Sequence, residues 1–106
     1  MEANQPSYYL VIDAETTYDP TVIAESQEVI EFAIVAVDVD NGQVVGDFQR
    51  FVRPEVNTEL SENCMERTGI TQEQLDDSDI LEDVINEATQ WVNQLKDDDE
   101  TVLLIL

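Results

Sequence analysis

Apolar residues recur along this chain with two periods, and each period predicts a different kind of element. Tyr8-Tyr9-Leu10-Val11-Ile12 is a short β-rich run that gives way to Asp13, Ala14 and Glu15, which predicts a buried strand with acids at its C-terminal end. Between Glu28 and Val39 both alternation phases are apolar: Ile30, Phe32, Ile34 and Ala36 share one face, while Val29, Ala33, Val35 and Val37 share the other. That pattern predicts a strand covered on both sides. Residues 16–27, with Pro20, Ser26 and three threonines, read as the loop between them. Asn41-Gly42 predicts a tight type I′ hairpin, whose two central positions need positive φ, so the run from Gln43 to Arg53 should return antiparallel until Pro54.

Beyond Pro54 the period changes to that of a helix. Ser61 predicts an N-cap for a short helix through Arg67, with Gly69 as its left-handed stop. Thr71 and Gln74 have the spacing of a capping box. Leu81, Val84, Ile85, Ala88, Val92 and Leu95 draw one apolar stripe with Trp91 at its flank, which predicts the main helix over about 80–95, capped by Ser78 or Asp79. After the acidic run Asp97-Asp98-Asp99-Glu100, the apolar segment Thr101–Leu106 predicts a buried strand parallel to the first. The expectation is a single, partial α/β domain over residues 1–106: an antiparallel three-strand meander, helices, and one parallel strand. A buried parallel strand normally leads on into a crossover or functional loop. Because this one ends the sequence, a truncated or reduced form of a larger fold is expected.

Charge narrows the partners. Four Lys and Arg stand against 25 Asp and Glu with no His, for a formal net charge of −21. Such a surface argues against generic binding to nucleic acid or to an anionic membrane, which rely on Lys and Arg, although a metal ion can reverse the field locally. Halophilic adaptation and deliberate surface redesign both produce this composition. The single cysteine, Cys64, allows no internal disulfide and no zinc cluster, which suits a reducing cytoplasm. The first five residues carry neither a basic patch nor a long apolar run, so no secretory signal is expected, and no apolar stretch is long enough for a membrane helix.

Asp13 and Glu15, one residue apart at a strand end, would project from one face about 7 Å from each other at about 3.3 Å per residue. Hard oxygen donors so placed suit Mg²⁺ or Mn²⁺. On spacing alone a solvated strand end is the plainer reading, because acid-x-acid recurs at Asp38-Val39-Asp40. The preceding apolar strand is what raises the metal reading.

The stretch Tyr9-Leu10-Val11-Ile12-Asp13-Ala14-Glu15-Thr16-Thr17 resembles the first motif of the DEDD superfamily of 3′-to-5′ exonucleases, DEDDh type. The closer match is to the branch that includes the histone-mRNA and small-RNA trimming exonucleases. Glu28-Val29-Ile30-Glu31-Phe32, Phe48 to Pro54, and Leu60-Ser61 through Cys64 to Thr68-Gly69-Ile70-Thr71-Gln72-Glu73-Gln74 are similar to the same branch in the same order. The resemblance implies the ribonuclease H-like exonuclease fold and hydrolysis of RNA or DNA phosphodiesters by two metal ions, with Asp13 bridging both and Glu15 binding one. It further implies that Thr16, Thr68, Gly69 and Ile70 contact the 3′-terminal nucleotide of a single strand, although locally Gly69 also reads as a helix stop and Ile70 as core.

Two departures stand out. Arg67 occupies a position usually apolar in close relatives. The resemblance also calls for a second Asp after the fourth strand, a third on a late helix and a nearby His or Tyr, whereas this sequence stops at its fourth strand, has no His, and keeps Tyr8, Tyr9 and Tyr18 at its N-terminal end. An inactive chain is therefore expected. A catalytically dead binding or scaffold module and a designed, minimised fold are the alternatives. A bare sheet face would invite a second copy or a complementing C-terminal half.

Overall fold

The computed structural model describes residues 5–21 and 27–106. Its elements run β1 (Tyr8–Thr16), β2 (Val29–Asp38), β3 (Val44–Phe51), α1 (Glu62–Thr68), α2 (Gln72–Asp76), α3 (Leu81–Leu95) and β4 (Val102–Ile105). The sheet order is β3-β2-β1-β4, antiparallel from β1 through β3 and parallel between β1 and β4. The expected meander, main helix and closing parallel strand are all present. Of the expected loop at 16–27, residues 22–26 lie outside the described residues.

Leu10, Ile34, Ala36 and Phe48 form the sheet's side of the main core, and Val84 and Ala88 of α3 close it. Trp91 extends this contact over β3, with its ring 6.0 Å from that of Phe48. A second core of Ile30, Cys64, Ile70 and Leu75 seats α1 and α2 against the start of β2. Local chemistry fixes both short helices. The Ser61 hydroxyl accepts from the Cys64 amide, Gly69 ends α1 at φ 73°, and Thr71 with Gln74 makes the reciprocal capping box. Glu28 then ties the chain after β3 back to β2, because its carboxylate accepts from the backbone amides of Glu55, Val56 and Asn57 at 2.6–3.1 Å. Burial pushes the Glu28 carboxyl up, but those bonds and the Asn57 side chain outweigh it and hold it below its ordinary value.

Five details differ from the sequence-based expectations. β1 keeps the acids at its C-terminal end as expected, with a bulge before Thr16, but it is not a buried strand, since only Leu10 is buried along it. The second face of β2 is only half-buried at Val29, Ala33, Val35 and Val37 rather than covered. At the hairpin only Gly42 takes positive φ, at 70°, so the turn is not type I′. Instead the Asp38 carboxylate accepts from the Asp40 and Asn41 amides, which lets Asn41 keep negative φ. The N-cap of α3 is Ile80, with no side-chain cap. Ser78 spends its hydroxyl on the Gln74 carbonyl, and the Asp79 carbonyl accepts from the Arg53 amide. Finally, β4 is parallel as expected but is an edge strand, with Leu103 50% and Leu104 58% exposed, because β1 pairs it on one side only. An apolar groove of about 240 Å³ between α3 and the sheet reaches this edge at Val102 and Leu104. Among the described residues no helix is long and apolar enough to cross a membrane.

Candidate active site

The unequal lengths of β1 and β4 create the site. β4 pairs with Tyr8 to Val11 and stops, whereas β1 runs on with β2 as its only partner. Asp13 and Glu15 therefore leave the sheet just past the carboxyl end of its parallel pair, where open α/β sheets characteristically bind ligands. Strand alternation puts both on the face away from Leu10 and α3. Asp13 is exposed and Glu15 half-buried. One Asp13 oxygen accepts from the Ala14 amide at 3.0 Å.

Helix α1 walls the site on one side. Cys64 Sγ approaches the Thr16 carbonyl at 3.6 Å, and the Arg67 guanidinium spans the gap, meeting Glu15 Oε2 at 3.4 Å, the Thr16 carbonyl at 3.1 Å and the Tyr18 carbonyl at 2.8 Å. Opposite Glu15 in strict register stands Glu31, a like-charge cross-strand pair that is unfavourable unless each member is compensated. Arg67 compensates Glu15, and the Gln49 amide donates to Glu31 at 2.8 Å. None of this was legible in the sequence, where Glu31 read only as part of a strand and Arg67 only as a departure.

The other expected residues divide. The Thr16 hydroxyl faces the loop, donating to Gln27 and accepting from the Tyr18 amide. Thr68 and Gly69 follow Arg67 at the C-terminus of α1, so they share this end of the molecule. The Thr68 hydroxyl is engaged locally, donating to the Cys64 carbonyl and accepting from the Ile70 amide. Ile70 is 3% exposed inside the second core, so it supports this corner from beneath rather than lining it.

A residue the sequence reading missed lies alongside. Asp19 is 6% exposed and accepts from the Thr21 amide and hydroxyl at 2.8 and 2.7 Å and from Asn63 at 3.4 Å, joining the loop after β1 to α1. The acid-x-Thr spacing of Asp19 and Thr21, a local turn signature, is the signal that could have found it.

For a divalent cation the donor chemistry fits in part. Asp13 and Glu15 offer hard carboxylate oxygens on one exposed face. Among the described residues, however, no group of three or more Asp, Glu, His or Cys converges. Two protein ligands with water elsewhere are an arrangement Mg²⁺ tolerates.

Comparison with known proteins agrees with this architecture. Residues 10–100 match the RNase_T family, described as exonucleases. The chain is 40% identical over 86 residues to 3′-5′ exoribonuclease 1 of Rattus norvegicus, covering 80% of this chain and 25% of that protein. It is likewise 40% identical over 85 residues to the 3′-5′ exonuclease crn-4 of Caenorhabditis elegans, covering 78% of this chain and 28% of that protein. It thus spans about a quarter of the length of these relatives. Among solved structures, the nuclease domain of 3′hExo, a DEDDh family member bound to rAMP, superposes with a TM-score of 0.86 at 32% identity, over 95% of this chain and 52% of that one. The family match across most of the sequence and the shared ribonuclease H-like fold place this chain in the RNase_T family of exonucleases.

Proposed function

We propose that this chain carries the first acidic motif of a 3′-to-5′ exonuclease domain that, in its complete form, removes nucleotides from the 3′ end of single-stranded RNA or DNA. The observation that carries the reading is the placement of Asp13 and Glu15 on one face of β1, past the end of β4 and beside α1. Mg²⁺ or Mn²⁺ held there supplies stabilisation of the attacking water and of the leaving oxygen. Asp13 and Glu15 hold the cation. Thr16, Thr68 and Gly69 form the rim that receives the terminal nucleotide, and Ile70 fixes that rim from below. The buried, unpaired Cys64 suits a reducing cytoplasm.

With two converging acids and no His, these 106 residues hold metal weakly and do not cleave efficiently. That same observation favours a second reading, a binding module of the same fold. Incubating the purified chain and its Asp13→Ala variant with end-labelled single-stranded RNA in Mg²⁺ tests both. The expected outcome is negligible shortening by either protein. Robust degradation that vanishes in Asp13→Ala would show that two acids suffice, and retention of the RNA without cleavage would favour the binding module.

A further inference from the structure

We propose that Arg67 is a positioning residue that occupies the cation-binding side of Glu15 and competes with a divalent metal for it. The inference rests on the metal-site reading of Asp13 and Glu15. Glu15 stands directly across from Glu31, so its carboxylate requires a positive partner, and the Arg67 Nη1 at 3.4 Å is that partner. The guanidinium is not held by Glu15 alone. Its Nη2 donates to the Thr16 and Tyr18 carbonyls at 3.1 and 2.8 Å, and its Cζ lies 5.6 Å from the centroid of the Tyr18 ring. Those anchors keep the charge in place when Glu15 turns toward a metal.

An arriving cation therefore meets a fixed positive charge a few ångströms away and must also displace the ion pair from Glu15. Both effects weaken binding. They do so at a half-exposed position, where the pair's side chains are 37% and 39% exposed and solvent screens the interaction. The consequence is a site that fills only when metal is abundant, and the residue type at position 67 sets that threshold.

Paramagnetic broadening of the backbone amides of residues 12–17 by Mn²⁺ reads this site separately from the rest of the acidic surface. Arg67→Gln keeps an amide donor for the Thr16 or Tyr18 carbonyl while removing the charge, and it should tighten Mn²⁺ binding by about three- to tenfold. Arg67→Lys keeps the charge and should stay close to the parent chain. A purely structural Arg67 would give unchanged or weaker binding in Arg67→Gln, and that result overturns the proposal. Asp13→Asn and Glu15→Gln separate the two levels of the argument. If they abolish the broadening while Arg67→Gln fails to tighten it, only the role of Arg67 fails. If they leave it intact, the metal-site reading fails and the competition with it.

Discussion

Asp19 shows how a single carboxylate can set the corner on which the site rests. Hydrogen bonds from the Ser61 hydroxyl and from the Thr21 hydroxyl and amide outweigh the opposing push of burial and lower its carboxyl from 3.8 to about 2. Ser61 is also the N-cap of α1, so Asp19 bonds to the residue that starts the helix carrying Arg67, Thr68 and Gly69. A depressed acid adds stability that is complete above its unfolded value of 3.8 and is lost as pH falls toward about 2. Asp19→Asn should therefore melt several degrees below the parent chain at neutral pH. That gap should close as the pH approaches the folded value, because the parent's carboxyl is then protonated as well. Paired thermal melts across the acid range check this, and a gap independent of pH would assign the effect to packing instead.

Among the elements, the docking of α3 on β3 depends on one missing side chain. Gly46 has ordinary backbone geometry, but a Cβ built there would lie 3.3 Å from Trp91 Cζ2. Gly46→Ala should push the indole outward by a few tenths of an ångström and cost up to about 1 kcal/mol, the low end of the penalty for overpacking. Tryptophan emission shifted to the red, together with a lower denaturation midpoint, is the expected signature. Gly69→Ala has open space around its Cβ but a φ of 73°, so it should cost about 1–2 kcal/mol through backbone strain, with the Trp91 emission unchanged.

The elements that were legible in the sequence are those whose signal is local. The cap of α1, the capping box of α2, the stripe of α3 and the apolar phases of β2 each depend on residues within a few positions of one another. The features that were not legible depend on distant partners. At the start of α3, Ile80 is the N-cap without a side-chain bond, and the Asp79 carbonyl just before it is tied to the distant Arg53 amide. Of the site, the acid pair could be read from spacing and resemblance, whereas the Glu15–Glu31 register and the compensating Arg67 could not, since 52 residues separate Arg67 from Glu15.

Over the whole molecule, 25 acids and four bases leave most negative charges without a positive partner. Arg50 pairs with Glu87 at 2.9 Å, Arg67 pairs with Glu15, and Lys96 spends its ammonium on the Glu100 carbonyl. Repulsion among the remaining acids opposes the folded state, and its range follows the Debye length, about 30 Å at roughly 0.01 M salt and about 3 Å at roughly 1 M. The melting temperature should therefore rise between about 0.05 and about 2 M KCl, the reverse of what a fold held by surface ion pairs would show. Screening also acts on association. β4 presents Leu103 and Leu104 at a sheet edge that carries no charged residue or proline to block pairing, and Val11 beside it is 40% exposed. At low salt the net charge keeps two copies apart. Once it is screened, burial of this edge gains about 25 cal/mol per Å² of apolar surface, so the sedimentation mass should grow with salt alongside the melting temperature. A melting temperature that stays flat would remove the repulsion argument, and a monomer at every salt concentration would show that the edge of β4 is too short to pair on its own.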